Sequence, residues 1–261
     1  GRPVCAHTSL SSFGWIEGGA AALVDAYLDE GCTLLVPAFV YTHMVPMPKD
    51  CVYIQNGRGD RADEDLDSEQ VPLYDPASNE ISSSLGAVPR EVLSRPGRLR
   101  GMHPINALAA IGPLAEALIA RQTYREVYGP YAAAAEMGGA IALMGVGLTR
   151  CTPIHWAEQC AGQTLFVRWS LTPDRQVVEC SVGSCSEGFE RFAPVVAPFE
   201  RRYTVGKSLW RVLPLGESMA AVSGALRAKP DAAHCDNPDC PNCNDKAKGG
   251  LIRDPGQAKG R

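Results

Sequence analysis

Hydrophobic positions along the chain follow two different periods, which predicts strands and helices in alternation. Apolar runs of the length typical of buried strands occupy residues 3–6, 32–36 and 140–144. Between the first two runs, residues 20–30 carry apolar side chains at helical spacing and are followed by Gly31, a helix stop signal. A strand, a helix and a second strand in this order predict a βαβ unit with parallel strands, and therefore an α/β core.

Later segments continue this alternation. Helical patterns occur in five of them, residues 89–94, 113–120, 132–137, 189–196 and 209–226. We expect Pro214 to break the last of these helices, because proline removes a helical hydrogen bond. Residues 165–170 and 176–181 alternate between apolar and polar side chains, which predicts a β-hairpin. A further apolar strand is expected shortly after His103.

Residues 41–80 interrupt the regular pattern. They are rich in Pro, Asp and Gly and show no clear period, and long ordered loops in compact domains are usually functional. We therefore expect one domain over residues 1–228 with a loop insertion at 41–80. A cysteine-rich tail is expected to follow at residues 229–261.

Composition and charge argue against two classes of function. No apolar run reaches the ~20 residues that a membrane helix needs, and a net charge of −4 gives no support for nucleic-acid binding. The charge is uneven, because residues 60–69 hold six acidic side chains against one arginine. Ten cysteines in a long chain without a visible export signal predict free thiols and a cytoplasmic protein.

The third predicted strand leads into the stretch with the strongest chemical signal. A glycine turn at residues 145–147 precedes Thr152, predicted as a helix N-cap, and Pro153, predicted as the first helical residue. His155 and Glu158 follow three positions apart, on one face of that helix. An imidazole beside a carboxylate can remove a proton from a nucleophile, while the carboxylate stabilises the charged ring. The alternative is a surface pair at helical spacing.

Two cysteines near this pair leave a second chemistry open. Cys151 and Cys160 flank His155, so a Cys–His nucleophilic pair is an alternative. Cys160 lies five residues after His155, however, and therefore faces away from it on the helix.

The cysteine-rich tail predicts a structural zinc site. Cys235, Cys240 and Cys243 are spaced C-x4-C-x2-C among turn-forming residues, as expected for a tetrahedral zinc site with a two-cysteine knuckle. The fourth ligand is expected to be His234 or a distant cysteine such as Cys185. The alternative is a set of free thiols or a disulfide.

Two further segments are candidates for binding an anion. Residues 8–19 are rich in hydroxyl groups and glycine and run into the first helix, where backbone N–H groups can cradle a phosphate. Arg98 and Arg100 precede His103, and arginines suit a polyphosphate. The alternatives are a structural turn for the first segment and a solvated basic pair beside a core histidine for the second.

Several motifs, in order along most of the chain, match one known family. They are His7-Thr8-Ser9-Leu10-Ser11-Ser12-Phe13-Gly14, Gly31-Cys32-Thr33-Leu34-Leu35-Val36-Pro37, Tyr74-Asp75-Pro76, Arg100-Gly101-Met102-His103-Pro104, Ala109-Ala110-Ile111-Gly112, Gly145-Val146-Gly147, Thr152-Pro153-Ile154-His155-Trp156-Ala157-Glu158 and Cys185-Ser186-Glu187-Gly188-Phe189. With these motifs the chain resembles the aminoglycoside 3-N-acetyltransferases, also called the antibiotic N-acetyltransferase family.

This resemblance implies an antibiotic N-acetyltransferase-type α/β fold, with a central mixed or parallel sheet flanked by helices. It implies acetyl-coenzyme A as cosubstrate, with His155 as general base and Glu158 or Glu187 as its supporting acid. The residues that we expect to bind coenzyme A are His7, Thr8, Ser9, Leu10, Arg100 and His103.

The sequence therefore predicts direct transfer of an acetyl group from acetyl-coenzyme A to an amine of an aminoglycoside antibiotic, at the 3-amino position by resemblance. The acidic side chains Asp63, Glu64, Asp65 and Asp67 suit attraction of a polycationic substrate, and the alternative is a solvated loop. Competing interpretations are acetylation of another kind of amine, a cysteine-dependent acyltransferase or hydrolase, and a zinc-stabilised binding protein without activity. We expect no nucleic-acid or membrane partner.

Overall fold

A computed structural model describes residues 1–49, 51–53, 55–57, 69–247 and 252–253 of the chain. The strands are β1 (Pro3–Thr8), β2 (Thr33–Pro37), β3 (Met44–Val45), β4 (Val52–Tyr53), β5 (Leu99–Arg100), β6 (Leu108–Ile111), β7 (Ala140–Met144), β8 (Phe166–Leu171), β9 (Val177–Val182), β10 (Arg201–Val205), β11 (Ser208–Pro214) and β12 (Ile252–Arg253). The α-helices are α1 (Gly19–Asp29), α2 (Ala87–Ser94), α3 (Ala115–Ile119), α4 (Gly129–Glu136), α5 (Pro153–Cys160), α6 (Ala193–Val196), α7 (Leu215–Ala228) and α8 (Pro241–Ala247).

Seven strands form a mixed central sheet in the order β10-β11-β7-β1-β2-β6-β5. Strand β1 lies in the middle and is parallel to both β2 and β7, so that Cys5 is opposite Leu35 on one side and Ile141 on the other. The other neighbours in this sheet are antiparallel. The predicted βαβ unit and the α/β fold with a mixed sheet are confirmed.

Side chains that alternate along the central strands separate two hydrophobic layers, as the pleat requires. Cys5, Leu35 and Ile141 belong to the core on one face, which also contains buried residues of α3, α4, α5 and α7. Their neighbours Val4 and Leu34 belong to the core on the other face, with buried residues of α1 and α2. The central strands are apolar on both faces because helices cover both.

A second, three-stranded sheet lies beside the first and has the order β3-β8-β9. The pairing of β8 with β9 is antiparallel and confirms the predicted hairpin. Residues from this sheet and from the neighbouring loops form two smaller apolar clusters, one around Trp169 and one around Phe166. This sheet forms one wall of the candidate site described below.

The predicted helix over residues 209–226 is wrong in its first third. Residues Ser208–Pro214 form strand β11, which pairs with β7 and with β10, and helix α7 begins only at Leu215. Pro214 therefore separates a strand from a helix rather than breaking one helix. Leu209 and Leu213 lie four positions apart, a spacing that fits one face of a helix and one face of a strand equally.

The described part of the tail packs against the main domain. Ala233 is fully buried in the same core as helix α7, and Cys243 and Lys246 of helix α8 are also buried. The domain boundary at residue 228 remains a prediction. Within the described ranges, no helix has both the length and the apolar character needed to cross a membrane.

Candidate active site

A cavity of about 990 Å³ opens where the central sheet meets the second sheet. Its walls come from the end of β1 with the loop after it, from the start of α2, from the segment between β7 and α5, and from the second sheet with the loop after β9. Ligands of open α/β sheets bind in the crevice at the carboxyl ends of parallel strands. The ends of β1 and β7 form such a crevice here.

The predicted coenzyme loop begins at this crevice. His7, Thr8, Ser9 and Leu10 all line the cavity, and the Ser9 N–H donates to the carbonyl of Met144 at the end of β7, at 2.9 Å. The helix α1 that follows the loop does not supply any of the lining residues in the described part of the chain. The N-terminus of α2 lines the cavity instead, a feature that the sequence did not indicate.

Three buried polar atoms on the cavity wall have no hydrogen-bond partner among the described residues. They are His7 Nε2, Thr8 Oγ1 and Ser184 Oγ. Burial lowers the pKa of His7 to about 4, so that its ring is neutral at physiological pH. Buried polar groups are normally hydrogen-bonded, and these three are therefore available to a polar ligand in the cavity.

Helix α5 brings His155 and Glu158 together. The His155 Nδ1–H donates to Glu158 Oε2 at 2.8 Å, and both side chains are buried, with 8% and 1% of their surface exposed. The interpretation as a surface pair is therefore wrong. Thr152 stands at the predicted N-cap position and Pro153 begins the helix as predicted, although the Thr152 side chain makes no capping hydrogen bond among the described residues.

The His155 ring, which lines the cavity, is fixed by its aromatic and glycine neighbours. Tyr128 stacks on it with ring centroids 6.0 Å apart, and Phe189 meets it edge-on at 4.8 Å. A side chain at Gly183 would collide with the Tyr128 hydroxyl and would approach His155 Cδ2 to 2.7 Å. Glycine is therefore needed there to let the backbone approach the ring. His155 Nε2 has no hydrogen-bond partner in the part of the chain that the structure describes.

Glu158 makes a second buried ion pair. Its Oε1 accepts from Lys246 Nζ of helix α8 at 2.6 Å, and Lys246 is only 6% exposed. Burial raises the pKa of Glu158, but the charges and hydrogen bonds of His155 and Lys246 outweigh burial and hold it below its usual value. Glu158 is therefore a carboxylate at neutral pH, with one oxygen committed to each partner.

Three of the predicted site residues do not line the cavity. Glu187 has an exposed side chain and does not line the cavity, so Glu158 is the acid beside His155. His103 is fully buried and bonds to the backbone of Ser181, Ile105 and Asn106. Arg100 is 6% exposed and donates to two backbone carbonyls. Neither side chain lines the cavity, and both bond to main-chain atoms, so a part for them in coenzyme binding stays a prediction.

The predicted substrate-binding residues Asp63, Glu64, Asp65 and Asp67 lie outside the described residues. The described chain before them ends at Gly57, where an added Cβ would lie 2.5 Å from Asn242 Oδ1 and 2.7 Å from Phe166 Cε2. Both of those residues line the cavity. Among the described residues that line the cavity, none carries a carboxylate.

The geometry disfavours a cysteine nucleophile. Cys151 is 1% exposed, does not line the cavity, and has a pKa that burial raises to about 12. Cys160 is exposed on helix α5 and also lies outside the cavity wall. Partial burial of its thiol still raises the pKa of Cys160 above its usual value. The reactive species of cysteine is the thiolate, which neither residue forms readily at neutral pH.

Four cysteines converge at the tail. The sulfur atoms of Cys185, Cys235, Cys240 and Cys243 all lie within 4.8 Å of one another, and we call this group the four-cysteine cluster. His234 is wrong as the fourth member, because its ring nitrogens contact the Cys235 carbonyl and Asn244 Oδ1. Cys185, which follows strand β9, takes that position.

Comparison with known proteins gives the chain its family. The sequence model of the aminoglycoside 3-N-acetyltransferases matches residues 5–225, so the chain belongs to that family. Aminoglycoside N(3)-acetyltransferase VII of Streptomyces paromomycinus is 30% identical over 174 residues, which make up 62% of this chain and 55% of that protein. The chain spans about half the length of the Streptomyces paromomycinus protein and of other curated relatives that it matches.

Solved structures share the fold. Aminoglycoside acetyltransferase AAC(3)-IVa in complex with a gentamicin superimposes with a TM-score of 0.74 at 22% identity, over 95% of this chain and 90% of that one. The binary complex of AAC-IIIb with CoASH gives a TM-score of 0.69 at 23% identity, over 88% of this chain and 91% of that one.

Proposed function

We propose that the protein transfers the acetyl group of acetyl-coenzyme A to an amine of an aminoglycoside, with His155 as general base. The observation that carries this proposal is the buried pair of His155 and Glu158, in which His155 lines a large cavity and Glu158 lies behind it. Family membership supports it, as do relatives of the same fold that bind coenzyme A and gentamicin. The 3-amino position is the expected site of acetylation by that same likeness.

His155 supplies the proton transfer that the reaction needs. An aliphatic amine is mostly protonated at neutral pH and cannot attack a thioester in that form. A carboxylate only accepts hydrogen bonds, so Glu158 fixes the proton of His155 on Nδ1 and leaves Nε2 to accept one. Nε2 then takes the proton of the amine, directly or through water, and Glu158 stabilises the charged ring.

The bonds exchanged in this transfer involve no covalent enzyme intermediate. The amine nitrogen forms a bond to the acetyl carbon, the carbon–sulfur bond of the thioester breaks, and the coenzyme A thiolate leaves. A protonated amine gives up two protons in becoming the amide. His155 passes the first to solvent before the attack, takes the second from the nitrogen as its bond to the acetyl carbon forms, and returns that one to the thiolate or to solvent, which restores the neutral base.

The walls of the cavity suit acetyl-coenzyme A. Thr8 and Ser184 offer unpartnered hydroxyls, and the first N–H groups of α2 receive no side-chain cap among the described residues. Exposed Arg150 adds a positive charge to the lining. Hydroxyls, free N–H groups and a guanidinium bind phosphate and amide oxygens, while apolar residues such as Phe39 suit the pantetheine chain.

The amine would approach from the side where Gly57, Phe166 and Asn242 meet. The acidic residues Asp63, Glu64, Asp65 and Asp67 follow Gly57 in the chain, and their charge suits a polycationic aminoglycoside. A second candidate is an amine of lower charge, because the described lining residues include no carboxylate.

Release of free thiol from acetyl-coenzyme A tests the proposal. The purified protein is incubated with gentamicin, apramycin and a series of simple primary amines, and the products are identified by mass spectrometry. We expect thiol release that depends on an amine, together with a singly acetylated product. Thiol release without any acetylated amine, or an acylated cysteine on the protein, would contradict the proposal.

A further inference from the structure

The four-cysteine cluster has the geometry of a site for a single metal ion. Its sulfur atoms lie within 4.8 Å of one another, and four thiolates around a zinc ion, with Zn–S bonds of about 2.3 Å, stand about 3.8 Å apart. None of these four cysteines forms a disulfide in the described part of the chain. The backbone N–H of Cys235 donates to Cys243 Sγ at 3.4 Å, which favours a sulfur that carries negative charge.

The cluster joins two distant parts of the chain. Cys185 follows strand β9 and belongs to the loop that lines the cavity, whereas Cys240 and Cys243 lie at the start of helix α8. A shared ion would therefore tie helix α8 to the body of the domain. Soft thiolate ligands in a tetrahedral set select zinc among the common divalent ions.

Helix α8 needs such an anchor. It has only seven residues, and helices shorter than ~12 residues are marginal on their own. Two side chains of α8 also bond to the rest of the domain. Asp245 Oδ2 accepts from the Gly57 N–H at 2.8 Å, and Lys246 Nζ donates to Glu158.

Lys246 depends on the position of this helix. It lies three residues after Cys243, so that both side chains extend from the same face of α8. Its ammonium group is buried against Glu158 Oε1 at 2.6 Å and lies 5.6 Å from the centre of the Phe189 ring. A shift of α8 by a few ångströms would break this ion pair and leave Glu158 with a single partner.

We propose that the four-cysteine cluster binds one zinc ion, and that this ion holds helix α8 so that Lys246 keeps Glu158 in place beside His155. Lys246 is then a positioning residue, which acts on the base through Glu158. The metal site stands independently of the activity, whereas the consequence for catalysis rests on the proposed function.

The charges around Glu158 give the direction of the effect. Glu158 faces His155 on its own helix, Lys246 on α8 and the hydroxyl-bearing ring of Tyr128 beside α4. Loss of the Lys246 charge leaves the carboxylate to be balanced by His155 alone. Protonation of His155 becomes more favourable, and a protonated ring cannot serve as a base.

Metal analysis of the protein as purified tests the first half of the proposal. We expect about one zinc per chain, as for one tetrahedral site, with loss of the metal in Cys240→Ser and Cys243→Ser. The matched control Cys160→Ser changes an exposed cysteine outside the cluster and should keep the metal. Protein without metal, or protein that holds iron instead, would overturn the assignment.

A titration of the His155 ring by NMR tests the second half without any need for activity. In Lys246→Met we expect the midpoint of this titration to rise by about one pH unit, because a nearby charge acts on that scale. This variant should retain the metal. The resonance is assigned by its loss in His155→Ala, and Lys229→Met is the control for removing a lysine. Removal of zinc from the wild-type protein with a chelator should produce the same rise in the midpoint. This experiment gives a metal-free protein even if the Cys243→Ser variant does not fold.

These outcomes separate this proposal from the proposed function. A midpoint that stays in place in both Lys246→Met and the metal-free protein would overturn the link between the cluster and His155. Absence of acetyl transfer in a protein that shows the zinc and the shifted titration would count against the proposed function alone. In an active enzyme, the acidic limb of the pH–rate profile should move to higher pH in Lys246→Met.

Discussion

Glu158 uses its two carboxylate oxygens for two different partners, and the site depends on both contacts. Oε2 fixes the tautomer of His155, and Oε1 accepts from Lys246. The local contact was predictable from sequence, because residues three apart meet on a helix. Lys246 lies 88 positions from Glu158, and no local pattern indicates such a partner.

We expect Glu158→Gln to lower kcat by at least about 10-fold, since a neutral amide cannot stabilise the charged ring of a general base. It should also lower thermal stability, because Lys246 would be left as a buried charge without an ionic partner. The measurement is steady-state kinetics together with thermal unfolding.

Glu187→Gln is the matched control for this prediction. Its carboxylate is exposed and lies outside the cavity wall, so that kcat should stay unchanged. A large loss of kcat in Glu187→Gln together with normal activity in Glu158→Gln would reverse the assignment of the supporting acid.

At the scale of elements, the site depends on how closely the loop after β9 approaches helix α5. We expect Gly183→Ala to push the His155 ring away from its position, and a displacement of about 1 Å costs about 10²-fold in rate. The kinetics should show the loss mainly in kcat, while the circular dichroism spectrum stays that of the folded protein.

Gly224→Ala is the control for removing a glycine. Gly224 lies inside helix α7, where an added Cβ meets nothing within 4 Å, so the change should leave kcat unchanged and stabilise the helix by up to about 1 kcal/mol. Equal activity in Gly183→Ala and Gly224→Ala would show that the close approach at Gly183 has no role in catalysis.

The elements themselves were only partly predictable. The order of β1, α1 and β2 follows from the period of their apolar residues. Strand β11 was missed because Leu209 and Leu213 fit both periods, and only its pairing with β7 and β10 decides between them. The fourth member of the four-cysteine cluster was left open for a similar reason, since Cys185 reaches it through the tertiary fold.

At the scale of the whole molecule, several separate segments build one cavity, and the sequence indicated only some of them. The loop after β1 and the start of α5 carry recognisable motifs. The start of α2 carries none, although it lines the same cavity. Arg100 and His103 stand in a family motif, yet their contacts are with backbone atoms inside the fold.

Buried neutral histidines should make the free energy of unfolding depend on pH. Burial lowers the pKa of both His7 and His103 to about 4, below the value in an unfolded chain. The unfolded state therefore binds protons that the folded state excludes, and stability falls as pH drops from about 6.5 towards 4. Each histidine contributes about 3 kcal/mol to this loss.

Urea unfolding at pH 7 and pH 5 measures this dependence. His7→Gln removes one of the two groups, so the difference in unfolding free energy between the two pH values should shrink relative to the wild type. An unchanged difference would mean that His7 is protonated in the folded protein.

Electrostatic attraction of the substrate is a second property of the whole molecule. If residues Asp63, Glu64, Asp65 and Asp67 attract a cationic aminoglycoside, KM should rise with ionic strength, because salt screens exposed charges beyond about 8–10 Å. Replacing the four with their amides should raise KM at low salt and flatten the salt dependence.

Asp29→Asn with Glu30→Gln is the control, because both carboxylates are exposed at the end of helix α1. This variant should keep the KM of the wild type and its dependence on salt. A KM that is the same in the amide variant and the wild type would leave the acidic residues as a solvated segment without a role in binding.

The most direct test of the role of His155 is the turnover of acetyl-coenzyme A and the best amine acceptor by the wild type and by His155→Ala. Loss of a general base should lower kcat by about 10² or more, while the affinity for coenzyme A stays nearly unchanged because the loop after β1 is intact. Near-normal turnover in a folded His155→Ala protein would contradict the assignment of His155 as the base.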